Sequence, residues 1–130
     1  MKVATYLNFN LNAQDVIDSY KAIFDATEAM KMLYEEGMTD NPALVGKVFH
    51  AELKISNLNL YLSDAGIEPD FSSMQLAAEF NDPEKAHQIF DRLAEGGEIM
   101  SPFEKMSFGP TIASVQDKFG VTWALIIDEA

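Results

Sequence analysis

Two stretches of the chain carry apolar residues at helical spacing, and nearly everything else alternates at period two. "NAQDVIDSYKAIF" (12–24) sets Val16, Tyr20, Ile23 and Phe24 on one stripe, with Asn12 at the N-cap and Asp15 three residues on. "DPEKAHQIFDRLAEGG" (82–97) sets Ala86, Ile89, Phe90 and Leu93 on one stripe. Asp82 is its N-cap, Pro83 its first helical residue and Gly96-Gly97 its stop. Strands are predicted over 3–10, 26–34, 47–55, 58–63, 74–80, 97–104, 110–116 and 121–127. The order is strand, helix, three strands, and then the same again.

The two halves also register residue on residue. At an offset of 70, Val16, Tyr20 and Ile23 fall on Ala86, Phe90 and Leu93. At 62 or 63, "HAEL" falls on "IASV" and "LNLYL" on "VTWAL". This is the signature of an internal duplication. The predicted class is α+β: two tandem βαβββ modules forming a cup-shaped mixed sheet with helices outside. One domain spans 1–130, with a first module over 1–63, a linker over 64–73 and a second module over 74–130.

Turn lengths then decide which side chains share a face. The two-residue "SN" between Ile55 and Leu58 suits a tight hairpin, which places Leu53 opposite Leu60 and Glu52 opposite Tyr61. One face becomes Phe49, Ala51, Leu53, Ile55, Leu58, Leu60 and Leu62, all apolar, and must pack on a helix. His50, Glu52, Lys54, Asn59, Tyr61 and Ser63 take the other. The three-residue turn "KFG" (118–120) repeats this in the second half, with Ala113, Val115, Val121, Trp123, Leu125 and Ile127 in the core. In strand 74–80, Gln75, Ala77 and Glu79 face away from the core.

Composition removes several chemistries. There is no cysteine, so disulfides, zinc–thiolate sites and thiol nucleophiles are excluded. Against 9 basic residues stand 21 acidic ones, a net charge of −12 that repels phosphate backbones. Nucleic acid and anionic membrane are therefore not expected partners. No apolar run approaches the roughly 20 residues of a membrane span, and "MKVATYLNFN" lacks signal-peptide character. A cytoplasmic protein is expected.

"YLNFNLNAQDVIDSYKAIFDA" (6–26), "HAELKISNLNLYLSD" (50–64), "FDRLAEGGEIMSP" (90–102) and "DKFGVTWAL" (117–125) resemble the PhnB-like branch of the vicinal oxygen chelate superfamily. That superfamily includes glyoxalase I, bleomycin- and fosfomycin-resistance proteins and extradiol dioxygenases. The resemblance implies paired βαβββ modules around a small-molecule cup and a homodimer. It also implies metal-ligand positions on the first, fourth, fifth and eighth strands. Carried over, these fall on Thr5, Tyr61, near Gln75 and Ala124. Only Gln75 is a donor of suitable kind, so the standard metal centre is expected to be absent and no cofactor is expected. Some PhnB-like relatives carry a methyltransferase label, but no glycine-rich turn is present to hold an adenosyl cofactor.

On the first strand the two readings disagree. The carry-over turns Thr5, Leu7 and Phe9 toward the cup, whereas hydrophobic alternation turns Tyr6, Asn8 and Asn10 there. Alternation makes Asn8 the first-strand candidate. The candidate ligand-binding residues are thus Asn8, His50, Glu52, Tyr61 and Gln75. His50 and Glu52 lie about 7 Å apart along one strand face, at about 3.3 Å per residue. That pair fits a wet polar strand face, a contact to a small organic ligand, or an acid–base or rearranged metal site of a lyase or dioxygenase. His87, off its helix's apolar stripe, reads as solvated, and Trp123 as core.

Overall fold

The computed structural model describes residues 1–128. They form two helices and eight strands in the predicted order: β1 (Thr5–Phe9), α1 (Ala13–Phe24), β2 (Thr27–Leu33), β3 (Val48–Ile55), β4 (Leu58–Asp64), β5 (Leu76–Phe80), α2 (Pro83–Ala94), β6 (Glu98–Lys105), β7 (Thr111–Gln116) and β8 (Thr122–Ile127). A short 3-10 turn, Pro42–Leu44, lies in the loop after β2. The chain is α+β, as expected, and divides into two compact units that meet in sequence at Pro69 and Asp70.

In the first unit the sheet order is β1-β4-β3-β2, with β1 and β4 parallel and the other pairs antiparallel. Helix α1 packs on β3 and β4. It buries Ala13, Val16, Ile17 and Tyr20 against Leu7, Phe9, Ala51, Leu53, Leu60 and Leu62. The hairpin register is the one its turn length dictates: Ile55 opposes Leu58, Leu53 opposes Leu60 and Glu52 opposes Tyr61. Ser56 turns the corner at φ 53°, a conformation two-residue hairpin turns require.

Phe49 departs from its expected place in the core. Leu33 pairs with Val48 and Met32 with His50, so Phe49 is the extra residue of a β-bulge. Val48 takes the buried place at 1% exposure, and Phe49, 38% exposed, packs edge-on against Tyr34. The bulge resets the alternation, so His50 and Glu52 still share the face away from α1.

The second unit repeats the plan as β5-β8-β7-β6, with α2 packed on β5, β7 and β8. Ala113, Val115, Val121, Trp123, Leu125 and Ile127 are all buried, as the alternation predicts. Strand β6 begins just after Gly97, whose backbone runs so close to Gln116 and Asp117 that a Cβ would collide with the Gln116 carbonyl. Only glycine lets the end of α2 turn so tightly onto the sheet.

The helix N-termini are held in different ways. Asp82 caps α2 itself, its Oδ1 accepting from the amides of Glu84 and Lys85. Asn12 occupies the N-cap position of α1 but makes no capping bond with its side chain. Asp64, at the end of β4, does that work instead: its Oδ1 accepts from the Ala13 amide at 3.0 Å and its Oδ2 from the Val48 amide at 3.0 Å. At 1% exposure this carboxylate ties helix, bulge and strand together.

Candidate functional site

The sheet face of the first unit opposite α1 carries Tyr6 and Asn8 from β1, His50 and Glu52 from β3, and Tyr61 and Ser63 from β4. Strand register brings the first of these together. Tyr6 lies beside Tyr61 in the parallel β1–β4 pair, and Tyr61 lies opposite Glu52 in the β3–β4 hairpin. Opposed residues point the same way, so three strands deliver Tyr6, Tyr61, Glu52 and His50 to one spot.

There the side chains form a continuous hydrogen-bonded chain. The Tyr6 hydroxyl is 2.9 Å from His50 Nδ1, and His50 Nε2 is 2.9 Å from Glu52 Oε2. Tyr61 stands edge-on to both neighbouring rings, with centroids 5.2 Å from His50 and 5.8 Å from Tyr6. Lys2 Nζ lies 5.9 Å from the centre of the Tyr61 ring. The His50 and Glu52 side chains retain 21% and 24% of their surface, and Tyr6 remains 46% exposed. The pair is thus shielded enough to hold its geometry, and the phenol is open to a solute.

The edge strand supplies an apolar border. Met30 pairs with Glu52 and Met32 with His50. Thioethers conform to irregular apolar shapes, so the face offers an adaptable rim beside a fixed polar chain.

Asn8 lies on this face beside Ser63, two residues along β1 from Tyr6. Thr5 shares the side of the buried Leu7 and Phe9 instead. Hydrophobic alternation therefore describes β1, and the carried-over position Thr5 does not share the open face. Tyr6, which lies outside the candidate set although alternation turns it to this side, is the residue registered on Tyr61. Gln75 is exposed and stands just before β5, while the second-unit residue registered on Ala124 is Ala77. Thr5 and Gln75 are not equivalent positions, because the two units join strand to helix differently. Three residues (10–12) join β1 to α1, but only two (81–82) join β5 to α2. The extra residue is absorbed at Leu11, in the left-handed region at φ 68°. Helices therefore align at an offset of 70 and first strands at 71.

With that alignment the second unit serves as an internal comparison. The register that joins Tyr6, Tyr61 and Glu52 joins Ala77, Ala124 and Ser114 there, and Ile112 stands where His50 would be. All four chemical groups are replaced by small or apolar ones. Phe103 of β6 instead packs on Phe90 and on exposed His87, their rings 5.0 and 4.2 Å away. His87 is thus solvent-exposed as expected, yet its ring is engaged. Trp123 is core, donating its indole N–H to Asp117 Oδ2 at 3.1 Å.

The donors around Tyr61 do not fit a divalent centre of the superfamily's kind. Such a centre uses about three or more imidazole, carboxylate or amide ligands. Here one imidazole has both nitrogens in hydrogen bonds, to Tyr6 and Glu52, and one carboxylate stands beside it. Among the described residues no three His, Cys, Asp or Glu side chains gather where they could hold a metal ion. What the arrangement can do unaided is orient a hydrogen bond and pass a proton along phenol, imidazole and carboxylate.

Comparison with known proteins agrees with the fold and places the family. The Escherichia coli K12 protein YjdN is 25% identical over 96% of this chain and 94% of its own length. A Bacillus cereus PhnB protein, described as a putative 3-demethylubiquinone-9 3-methyltransferase, superposes with a TM-score of 0.83 at 25% identity, covering 98% of this chain and 99% of that one. FosX, the genomically encoded fosfomycin resistance protein of Listeria monocytogenes, superposes with a TM-score of 0.74 over 99% of this chain and 94% of that one. At 12% identity that likeness concerns the fold alone. The family model described as 3-demethylubiquinone-9 3-methyltransferase matches residues 1–126. The chain belongs to that family, the PhnB-like branch of the vicinal oxygen chelate superfamily.

Proposed function

We propose that the open face of the β1-β4-β3-β2 sheet binds a small organic molecule without the superfamily's standard metal centre, and that Tyr6, His50, Glu52 and Tyr61 make the contacts. The observation that carries this reading is the asymmetry of the duplication. Two units share one architecture, but only the first loads four interacting polar and aromatic groups onto these registered positions. A strand face kept merely wet would not call for a Tyr–His–Glu chain flanked edge-on by a second tyrosine. Asn8 extends the same polar strip and is included; Gln75, exposed ahead of β5, is the weakest member of the candidate set.

A homodimer is part of the proposal. It is supported by the edge strands, where Met32 and Leu33 on β2 and Ile99 and Met100 on β6 are about half exposed. Sedimentation of the purified protein at the scale of one chain would count against it. Among the described residues no helix is long and apolar enough to cross a membrane, and the charge of −12 argues against nucleic acid as partner. A cytoplasmic location fits both.

The reading is tested by thermal shift against a panel of small organic molecules and divalent metals. A hit is expected that raises the melting temperature of the wild type and has about tenfold lower affinity for His50→Ala, which removes the acceptor that orients the Tyr6 hydroxyl and so weakens one hydrogen bond to a polar ligand. The Ala124→Ser variant, altered at the second unit's equivalent of Tyr61, is expected to bind as wild type. A stoichiometric divalent ion that His50→Ala loses would instead favour the lyase or dioxygenase reading.

A further inference from the structure

We infer that the Tyr6–His50–Glu52 chain has a fixed polarity, and that it therefore selects a neutral ligand bearing a hydroxyl group over a carboxylate or an ether. This rests on the proposed binding face and adds the ligand's chemistry to it. The polarity follows from what each group can donate. An ionised carboxylate only accepts hydrogen bonds, so the nitrogen facing Glu52 Oε2, Nε2, carries the proton. A neutral imidazole has one N–H, so Nδ1 is then an acceptor. The Tyr6 hydroxyl, 2.9 Å away, must donate to it. Its single proton is thereby committed inward, and what Tyr6 offers to the open side is an oxygen lone pair.

A ligand meeting Tyr6 consequently has to donate. A phenol, enol or alcohol can do so; a carboxylate or an ether oxygen would face lone pair against lone pair. The surroundings select in the same direction. Glu52 places a negative charge behind the imidazole, and the molecule as a whole carries −12. Met30, Met32 and the Tyr61 ring suit an apolar or aromatic body attached to that hydroxyl. Lys2, with Nζ 5.9 Å from the centre of the Tyr61 ring, and Lys54, two residues beyond Glu52 on β3, carry charge that would draw an anion, so the test includes one.

The test has two arms. In the first, nitrogen-15 NMR at alkaline pH reads the tautomer of His50 in the wild-type protein. With two histidines in the chain, the His87→Gln variant assigns the signals. The Nε2–H form is expected, and in Glu52→Gln, whose amide can donate or accept, a mixture. An Nδ1–H wild type overturns the polarity whatever the ligand. In the second arm, phenol, anisole and benzoate are titrated against the wild type while the Tyr6 and His50 resonances are followed. Phenol is expected to shift them with an affinity about tenfold above that of its methyl ether or of benzoate. In Glu52→Gln, with folding verified by circular dichroism, that preference is expected to shrink. Anisole or benzoate equalling phenol overturns the polarity and leaves the binding face standing. No shift with any of the three overturns the binding face, and this inference with it.

Discussion

Replacing Asp64 with alanine is expected to lower the unfolding free energy by about 2–5 kcal/mol, read from urea denaturation. The carboxylate accepts from two amides, Ala13 at the start of α1 and Val48 at the start of β3, in a place 1% exposed. Without it both donors are buried and unpaired, at a cost of roughly 1–3 kcal/mol each. Asp64→Asn separates this account from simple loss of volume. An amide has nearly the carboxylate's shape, but it must turn its NH2 group toward one of the two amides, so it should forfeit most of the stability too. An asparagine variant that unfolds at the wild-type midpoint would sink the account. The change should also reach the proposed binding face, because Val48 anchors the bulge after which Phe49 swings out and His50 and Glu52 regain the open side. Chemical-shift changes at His50 are expected in any Asp64 variant that still folds.

The same contact shows why some of the molecule was legible in the sequence and some was not. The hairpin Ile55–Leu58 is a local matter: a two-residue turn fixes the register, and alternation fixes the face. The shared face of His50, Glu52 and Tyr61 therefore follows from spacing alone. Period-two counting puts Phe49 in the core because it has no means of registering an inserted residue. A local N-cap signal points to Asn12 for α1, whereas the acceptor for the Ala13 amide comes from a side chain 51 residues further on. Alternation turns Tyr6, Asn8 and Asn10 alike to the open face and does not tell which of them lies beside Tyr61; the β1–β4 register does. The equivalence of Thr5 with Gln75 fails because the first unit joins strand to helix with one residue more. The hydrophobic pattern of β1, being a direct consequence of burial, was the better guide. Alternation could state which residues share a face, but the hydrogen bonds among Tyr6, His50 and Glu52 depend on side-chain conformation, which pattern does not encode.

The second unit has its own buried carboxylate, and its loss is expected to be at least as damaging. Asp117, 4% exposed, closes the β7–β8 hairpin: Oδ1 accepts from the amides of Phe119 at 2.9 Å and Val121 at 3.1 Å, and Oδ2 from the indole of Trp123. Gly120 supplies the left-handed residue at φ 89° that a three-residue loop needs. Asp117→Ala would leave three donors short of an acceptor, two of them in the turn that sets the register of both strands. The expected loss is about 3–5 kcal/mol, and the chain's single tryptophan makes it readable by fluorescence. The indole is 2% exposed and its N–H is paired in the wild type; in a folded Asp117→Ala variant it would face an apolar methyl group, and its emission should shift before denaturant is added. Phe119, by contrast, is half-buried, so its amide can regain water and the cost falls mainly on Val121 and Trp123. Adding Trp123→Phe to Asp117→Ala removes the donor that Asp117 Oδ2 accepts from, so the double variant should be less destabilised than the sum of the two single changes. Strict additivity would mean that the indole–carboxylate bond contributes nothing, and would leave the turn amides as the whole reason for a buried charge at this corner.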